Sequence, residues 1–384
     1  VAGFYSQTVT WTDCSEDLEC ATVHAPTNWN SPSDGAIELA LVKHKATGTK
    51  KGSLLLNPGG PGGSGWDYVY YSGASSATAA VSEAYDIVGW DPRGVGKSTP
   101  VTCYTDPKQT DEVLYGTFDS PYGTQGWIDE LTVEEEKFAA ACEKNTGELL
   151  GNLDTASNAK DMDMIRALVG DEKLNYLGYS YGTYFGAVYA ELFPDKVGRL
   201  VLDGALDPLL SDFESLKVQM AGFDSAFRAY MQFCLQGSDC PFSGDVDTAL
   251  GQARTVLETV DAQGLVNSDG RVLDSATLGT AIALNLYSED YWPDMTQMFA
   301  ELSTGDPTLA FVNADYYNSR NADGSYSSNS FEVYTAATCV DGDFADDPAT
   351  TLDRLAEIDA AAPILGKFFA YDDFAVLDTA CSNW

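Results

Sequence analysis

The chain has 384 residues, long enough to bury a large core and to hold more than one structural unit. Hydrophobic residues make up 44% and charged residues 21%, a composition that excludes disorder, and no apolar run approaches the roughly 20 residues a membrane-spanning helix needs. With 21 Lys+Arg against 58 Asp+Glu the formal net charge is −37, which repels polyanions and sets nucleic acid aside as a partner.

In chain order, the first predicted element is the alternating run at 37–43, with the period of a half-buried strand. Four short apolar runs follow, each ending in turn residues. They are 53–56 before NPGGPGG, 85–90 before DPRG, 174–177 before GYSYG, and 199–202 before Asp203 and Gly204. Buried parallel strands look like this, with function gathered in the loops at their C-terminal ends. Helical stretches at 159–169 and 183–193 separate them, which predicts an α/β fold with a mostly parallel sheet. After Pro208, Leu216, Met220, Phe223, Phe227, Tyr230 and Phe233 recur at three- and four-residue spacing, the pattern of an amphipathic helix. The pattern stays helical to about Phe344, with a polar loop at 318–329. The expected organisation is therefore a core at 1–204, an inserted, mainly helical cap at 205–345, and a return toward the core at 346–384.

The eight cysteines stand at 14, 20, 103, 142, 234, 240, 339 and 381. None forms a C-x-x-C pair, and His24 and His44 are the only histidines, so no metal site is expected. Eight cysteines allow 105 pairings. Nearest-neighbour pairing, Cys14–Cys20, Cys103–Cys142, Cys234–Cys240 and Cys339–Cys381, is the simplest. Disulfides imply an oxidising compartment. Val1 has no basic-apolar leader ahead of it, so the expectation is a secreted, extracellular protein whose signal has been removed.

Gly178-Tyr179-Ser180-Tyr181-Gly182 matches G-x-S-x-G, a strained strand-to-helix turn that exposes a serine oxygen. The preceding apolar strand and the following small-residue helix supply the context that this pattern needs. Asn57-Pro58-Gly59-Gly60-Pro61-Gly62 follows an earlier strand. In such a fold an amide from that loop joins the amide just past the nucleophile in an oxyanion hole, which makes Gly60 and Tyr181 the candidate donors. A phosphate cradle is the other use of such a glycine run, but no Gly-Lys-Ser/Thr follows it.

The order and spacing of NPGGPGGSG, VGWDPRGVGKST and LNYLGYSYGTYFGAVYAELFPDKVGRLVLDGALDP resemble the secreted tripeptidyl aminopeptidase branch of the α/β-hydrolase superfamily, relatives of prolyl aminopeptidases. TASNAKDMDMIR, YSEDYW and ATCVDGD extend the resemblance from Trp11 to Trp384. It implies an α/β-hydrolase fold and a serine hydrolase, without cofactor, that removes short peptides, often tripeptides, from free N-termini. An aminopeptidase must receive the substrate ammonium with an acid, and the resemblance points to Asp341, with Glu289 or Asp290 as alternatives. Tyr179 and Tyr181 flank the serine as candidate pocket residues, while Asp91 and Arg93 read as a structural turn pair.

The sequence departs from the family at one point. The α/β-hydrolase triad runs Ser, Asp/Glu, His, and no histidine follows Ser180. His24 and His44 read as ordinary surface or sheet residues, and Asp203 as a turn residue. The resemblance places the catalytic Asp and His on further strand–helix units beyond Trp384, absent here or supplied as a separate polypeptide of the same precursor. Residues 1–384 alone are then expected to be nearly inactive. An esterase or amidase for small molecules, and a binding protein on a hydrolase scaffold, are the competing expectations.

Overall fold

The computed structural model describes residues 1–342, 344, 347–370 and 376–384. Seven strands form one sheet: β1 (Thr12–Ser15), β2 (Leu18–Pro26), β3 (Ala36–His44), β4 (Gly52–Asn57), β5 (Tyr85–Trp90), β6 (Leu174–Tyr179) and β7 (Val197–Asp203). Their order across the sheet is β1-β2-β3-β5-β4-β6-β7. The first three strands pair antiparallel, and β3 meets β5 antiparallel. The β5–β4, β4–β6 and β6–β7 pairs are parallel. All five strands expected from the sequence are present. The alternating run 37–43 is β3, and the four apolar runs ending in turns are β4 to β7.

The hairpin β1–β2 had no forecast. Its signal is the inward Val23 and Ala25 set against the exposed Thr22 and His24, a short alternation interrupted by polar residues. Helices Thr155–Leu168 and Tyr181–Leu192 separate β5, β6 and β7 as expected. Asp154 caps the first of these, its carboxylate accepting the Ser157 amide at 2.7 Å.

Two compact units emerge. One comprises Val1–Cys103, Ala140–Leu209 and Ser328–Gly342 and carries the sheet. The other comprises Tyr104–Ala139, Leu210–Ser327 and Asp343–Trp384 and is mainly helical. Boundaries at 204 and 345 divide the chain differently, because apolar helix faces choose their core through tertiary contacts that chain order does not show. Trp127, Ile128 and Leu131 pack with Leu355, which draws the 104–139 stretch into the helical unit. Helix Ser330–Asp341 belongs to the sheet unit.

The helical unit has its own core around Phe227, Tyr230, Phe299 and Phe311, and the predicted amphipathic helix is Asp212–Cys234. A hairpin of two-residue strands, Leu265–Val266 and Val272–Leu273, is the strand structure that a purely helical reading omits. Disulfides join Cys14 to Cys20, Cys103 to Cys142 and Cys234 to Cys240. Cys339 and Cys381 are also disulfide-bonded. No helix among the described residues is long and apolar enough to cross a membrane.

Asp91 and Arg93 do not form a pair with each other. Asp91 is fully buried and accepts from the Ser64 hydroxyl and from the amides of Trp66 and Lys97. Desolvation holds its carboxyl above the usual carboxylate range. Arg93, 1% exposed, binds Asp161 through Nε at 2.8 Å and Nη2 at 2.9 Å, and donates to the carbonyls of Pro26, Thr27 and Asn152. Both are structural, each through its own partners.

Candidate active site

Strands β4 and β6 are neighbours in parallel, with Asn57 opposite Gly178. The chain therefore leaves their C-terminal ends side by side, about 4.8 Å apart, into the glycine-rich loop and the turn at Ser180. Ser180 is exposed and sits at φ 51°, ψ −124°, between the end of β6 and the first turn of Tyr181–Leu192. Its backbone is tied down on both sides. The Ser180 amide donates to the Asp203 carbonyl at 3.0 Å, and the Ser180 carbonyl accepts from the Thr183 amide at 2.9 Å and hydroxyl at 2.6 Å.

The glycines of the motif are required by close approach. A Cβ on Gly178 would lie 2.4 Å from the Gly182 carbonyl oxygen, and one on Gly182 would lie 2.8 Å from Asn57 Oδ1. Tyr176, fully buried, donates its hydroxyl to the Gly182 carbonyl at 2.7 Å and braces the turn from below.

The loop after β4 lies directly on this turn. Gly59, at φ 98°, has the Ser180 Cβ and the Tyr181 amide nitrogen each 3.0 Å from where a side chain would begin. Asn57, fully buried, holds the loop by accepting the Gly59 amide at 2.9 Å, and the Gly63 amide closes back on the Gly59 carbonyl at 3.0 Å. Gly60 follows, exposed, at φ 116°. The structure thus brings Gly59 against Ser180 and the Tyr181 amide nitrogen, and Gly60, the expected donor, is the next residue of that loop. The sequence motif marks the segment that holds Asn57 and Gly59, but not that Asn57 accepts the Gly59 amide or that Gly59 lies against Ser180.

Asp341 also comes to this place, through Tyr181. Its carboxylate accepts the Thr155 amide at 2.9 and 3.0 Å, the Thr155 hydroxyl at 2.6 Å and the Tyr181 hydroxyl at 3.1 Å. The residue as a whole is exposed, yet desolvation of its carboxyl raises its pKa. Burial pushes the Tyr181 phenol well up, so it remains a donor. Thr155 is the residue that sequence reasoning missed, although it opens the TASNAKDMDMIR segment.

Tyr179, the last residue of β6, packs its ring against Tyr68 at a 6.1 Å centroid distance. Glu289 and Asp290 belong to the helical unit, exposed in the short turn Glu289–Tyr291. Asp203 ends β7, exposed, and serves the turn through its carbonyl.

The two histidines stand elsewhere in the sheet. His44, on β3, is three strand positions from β6, roughly 14 Å. It pairs with Ile87 toward the opposite end of the parallel strands. His24, on β2, is four positions away, roughly 19 Å, and exposed. Neither reaches Ser180.

A mostly parallel sheet carrying a serine on a strained strand-to-helix turn defines a class, and residues 52–365 match the α/β-hydrolase fold family. The chain belongs to that family. It is 34% identical over 409 residues to the serine protease Hip1 of Mycobacterium tuberculosis, covering 98% of this chain and 75% of that protein. It is 32% identical over 346 residues to a tripeptidyl aminopeptidase of Streptomyces lividans, covering 87% and 63%. It is also 36% identical over 378 residues to a carboxylesterase B of M. tuberculosis, covering 93% and 71%.

Proposed function

We propose that this protein is a secreted serine exopeptidase that releases short peptides, tripeptides above all, from free N-termini. The observation that carries the reading is Ser180, exposed at φ 51° with the glycine-rich loop against the Tyr181 amide. Similarity to the serine protease and to the tripeptidyl aminopeptidase supports a peptide substrate.

Ser180 Oγ attacks the scissile carbonyl, and the amides of Gly60 and Tyr181 receive the negative charge that develops on its oxygen. The amine departs with a proton, leaving an acyl-enzyme that water hydrolyses. The proton must travel through a base, and neither histidine of this chain stands near enough. A histidine–acid pair from a C-terminal polypeptide of the same precursor fills that role. Strand β7 supports this reading: it ends the sheet, with β6 as its neighbour, and Val201 on it is 56% exposed. Among the described residues β7 is an edge strand, and such an edge is a place for further strands to pair.

The substrate ammonium requires an acid acceptor, because an ion stripped of water without one costs several kcal/mol. Comparing hydrolysis of free and N-acetylated tripeptide anilides tests the exopeptidase reading. The expected loss of kcat/KM on acetylation is about 10²-fold or more. Equal cleavage of both would contradict it. Similarity to the carboxylesterase keeps a small-molecule esterase as the second reading, and in that case simple acyl esters outpace every peptide.

A further inference from the structure

Three segments far apart in sequence meet at one carboxylate. Asp341 is the last residue of helix Ser330–Asp341, Thr155 the first of Thr155–Leu168, and Tyr181 the first of Tyr181–Leu192. Each contact has a local reason. The amide of Thr155 is one of the orphan donors at a helix start, where an anion is also favoured by the helix dipole, and Asp341 satisfies it with both oxygens. The Thr155 hydroxyl donates to Asp341 Oδ2 at 2.6 Å and lies 3.0 Å from the Tyr181 hydroxyl. That hydroxyl in turn meets Asp341 Oδ2 at 3.1 Å. Thr155 is 3% exposed, so the bonds at its end of the clamp are shielded from water, whereas the Tyr181–Asp341 bond lies at the exposed end.

The consequence lies at the other end of the Tyr181 side chain. Its ring is wedged edge-on against Tyr184 at 5.6 Å and Phe185 at 5.4 Å. A tyrosine has two rotatable side-chain bonds. Fixing both its ring and its hydroxyl therefore fixes its Cα and the peptide that joins it to Ser180. That peptide carries the Tyr181 amide nitrogen, which lies beside Gly59. We infer that Asp341 and Thr155 are positioning residues for catalysis, which hold the Tyr181 amide in register with Ser180 by clamping the Tyr181 hydroxyl. This rests on Ser180 being the nucleophile and the Tyr181 amide an oxyanion donor. It also assigns the Asp341 carboxylate a task inside the protein in place of the substrate's amino terminus.

Steady-state kinetics on the full-length protein separate the roles. Asp341→Asn keeps the shape while replacing one acceptor oxygen by a donor, and Tyr181→Phe removes only the hydroxyl. Each lowers kcat on tripeptide anilides by on the order of 10- to 100-fold, the scale of an ångström-level misplacement, with KM within about twofold. The double variant is no worse than the poorer single one, because both break the same clamp. Thr155→Val shows the same loss, and Thr155→Ser, which keeps the hydroxyl, restores the rate. Circular dichroism and thermal melts confirm that the variants are folded, and an unfolded Asp341→Asn leaves the Thr155 pair to decide.

Unchanged kcat in the folded variants overturns the inference. So does a rise in KM confined to substrates with a free amino terminus, which makes Asp341 the ammonium acceptor. Full activity in Ser180→Ala is a different failure: the nucleophile assignment falls, and the clamp loses its purpose with it.

Discussion

At Ser180 the backbone occupies a region that costs a non-glycine residue about 1–3 kcal/mol, and the surroundings are arranged to hold it there. The Thr183 hydroxyl and amide grip the Ser180 carbonyl, while the Asp203 carbonyl takes its amide. Gly182 completes the arrangement by leaving room for Asn57. Adding one methyl, in Gly182→Ala, pushes into Asn57 at 2.8 Å and displaces the turn. The expected result is a stability loss of about 1–3 kcal/mol, read as a shift in the urea midpoint, together with a larger loss of activity than stability alone explains. The G-x-S-x-G turn and the glycine-rich loop were legible in the sequence, because their demands are local. The Thr155–Asp341 contact was not, since its partners lie 186 residues apart and neither residue type is unusual where it stands.

Among elements, the strands that carry chemistry were the readable ones. Strands β4 and β5 are covered on both faces and show as nearly unbroken apolar runs, whereas β1 and β2 form a hairpin away from the sheet centre with polar residues mixed in. The allegiance of residues 104–139 was illegible, because an amphipathic helix announces that it has an apolar face but not which core receives it. Disulfides act on the same scale. In the chain-entropy account their value grows with the loop enclosed. Cys103–Cys142 spans 39 residues, while Cys14–Cys20 and Cys234–Cys240 span 6 each. Replacing Cys103 and Cys142 by alanine should cost about 4 kcal/mol, and replacing either short pair about 2 kcal/mol. Denaturant titration of the three double variants checks that order, and equal losses would show that strain or local packing outweighs chain entropy.

For the molecule as a whole, the charge of −37 and the buried acids act in the same direction. Desolvation holds the carboxyls of Asp91, Asp224 and Asp274 above their ordinary values in the folded state. The folded protein then binds more protons than the unfolded chain between the ordinary carboxylate pKa, about 4, and those raised values. Stability should therefore rise as pH falls from neutrality through that window, and the gain is complete below the unfolded pKa. Fewer charges at lower pH also relieve mutual repulsion. Glu19 opposes this. Hydrogen bonds from Lys43 and Lys45 lower the Glu19 pKa, and its contribution is kept above the unfolded carboxylate pKa and lost as pH falls from there through the lowered value. The thermal midpoint is expected to be higher near pH 5 than near pH 8, and a midpoint that drops as pH is lowered from 8 to 5 would contradict the assignment.

The account rests on one oxygen. A fluorophosphonate probe phosphonylates an activated serine, and peptide mapping locates the label. The full-length protein should carry one adduct, on Ser180, and Ser180→Ala should carry none and hydrolyse no peptide. A label on another serine, or an unlabelled protein that still cleaves tripeptide anilides, would contradict the account.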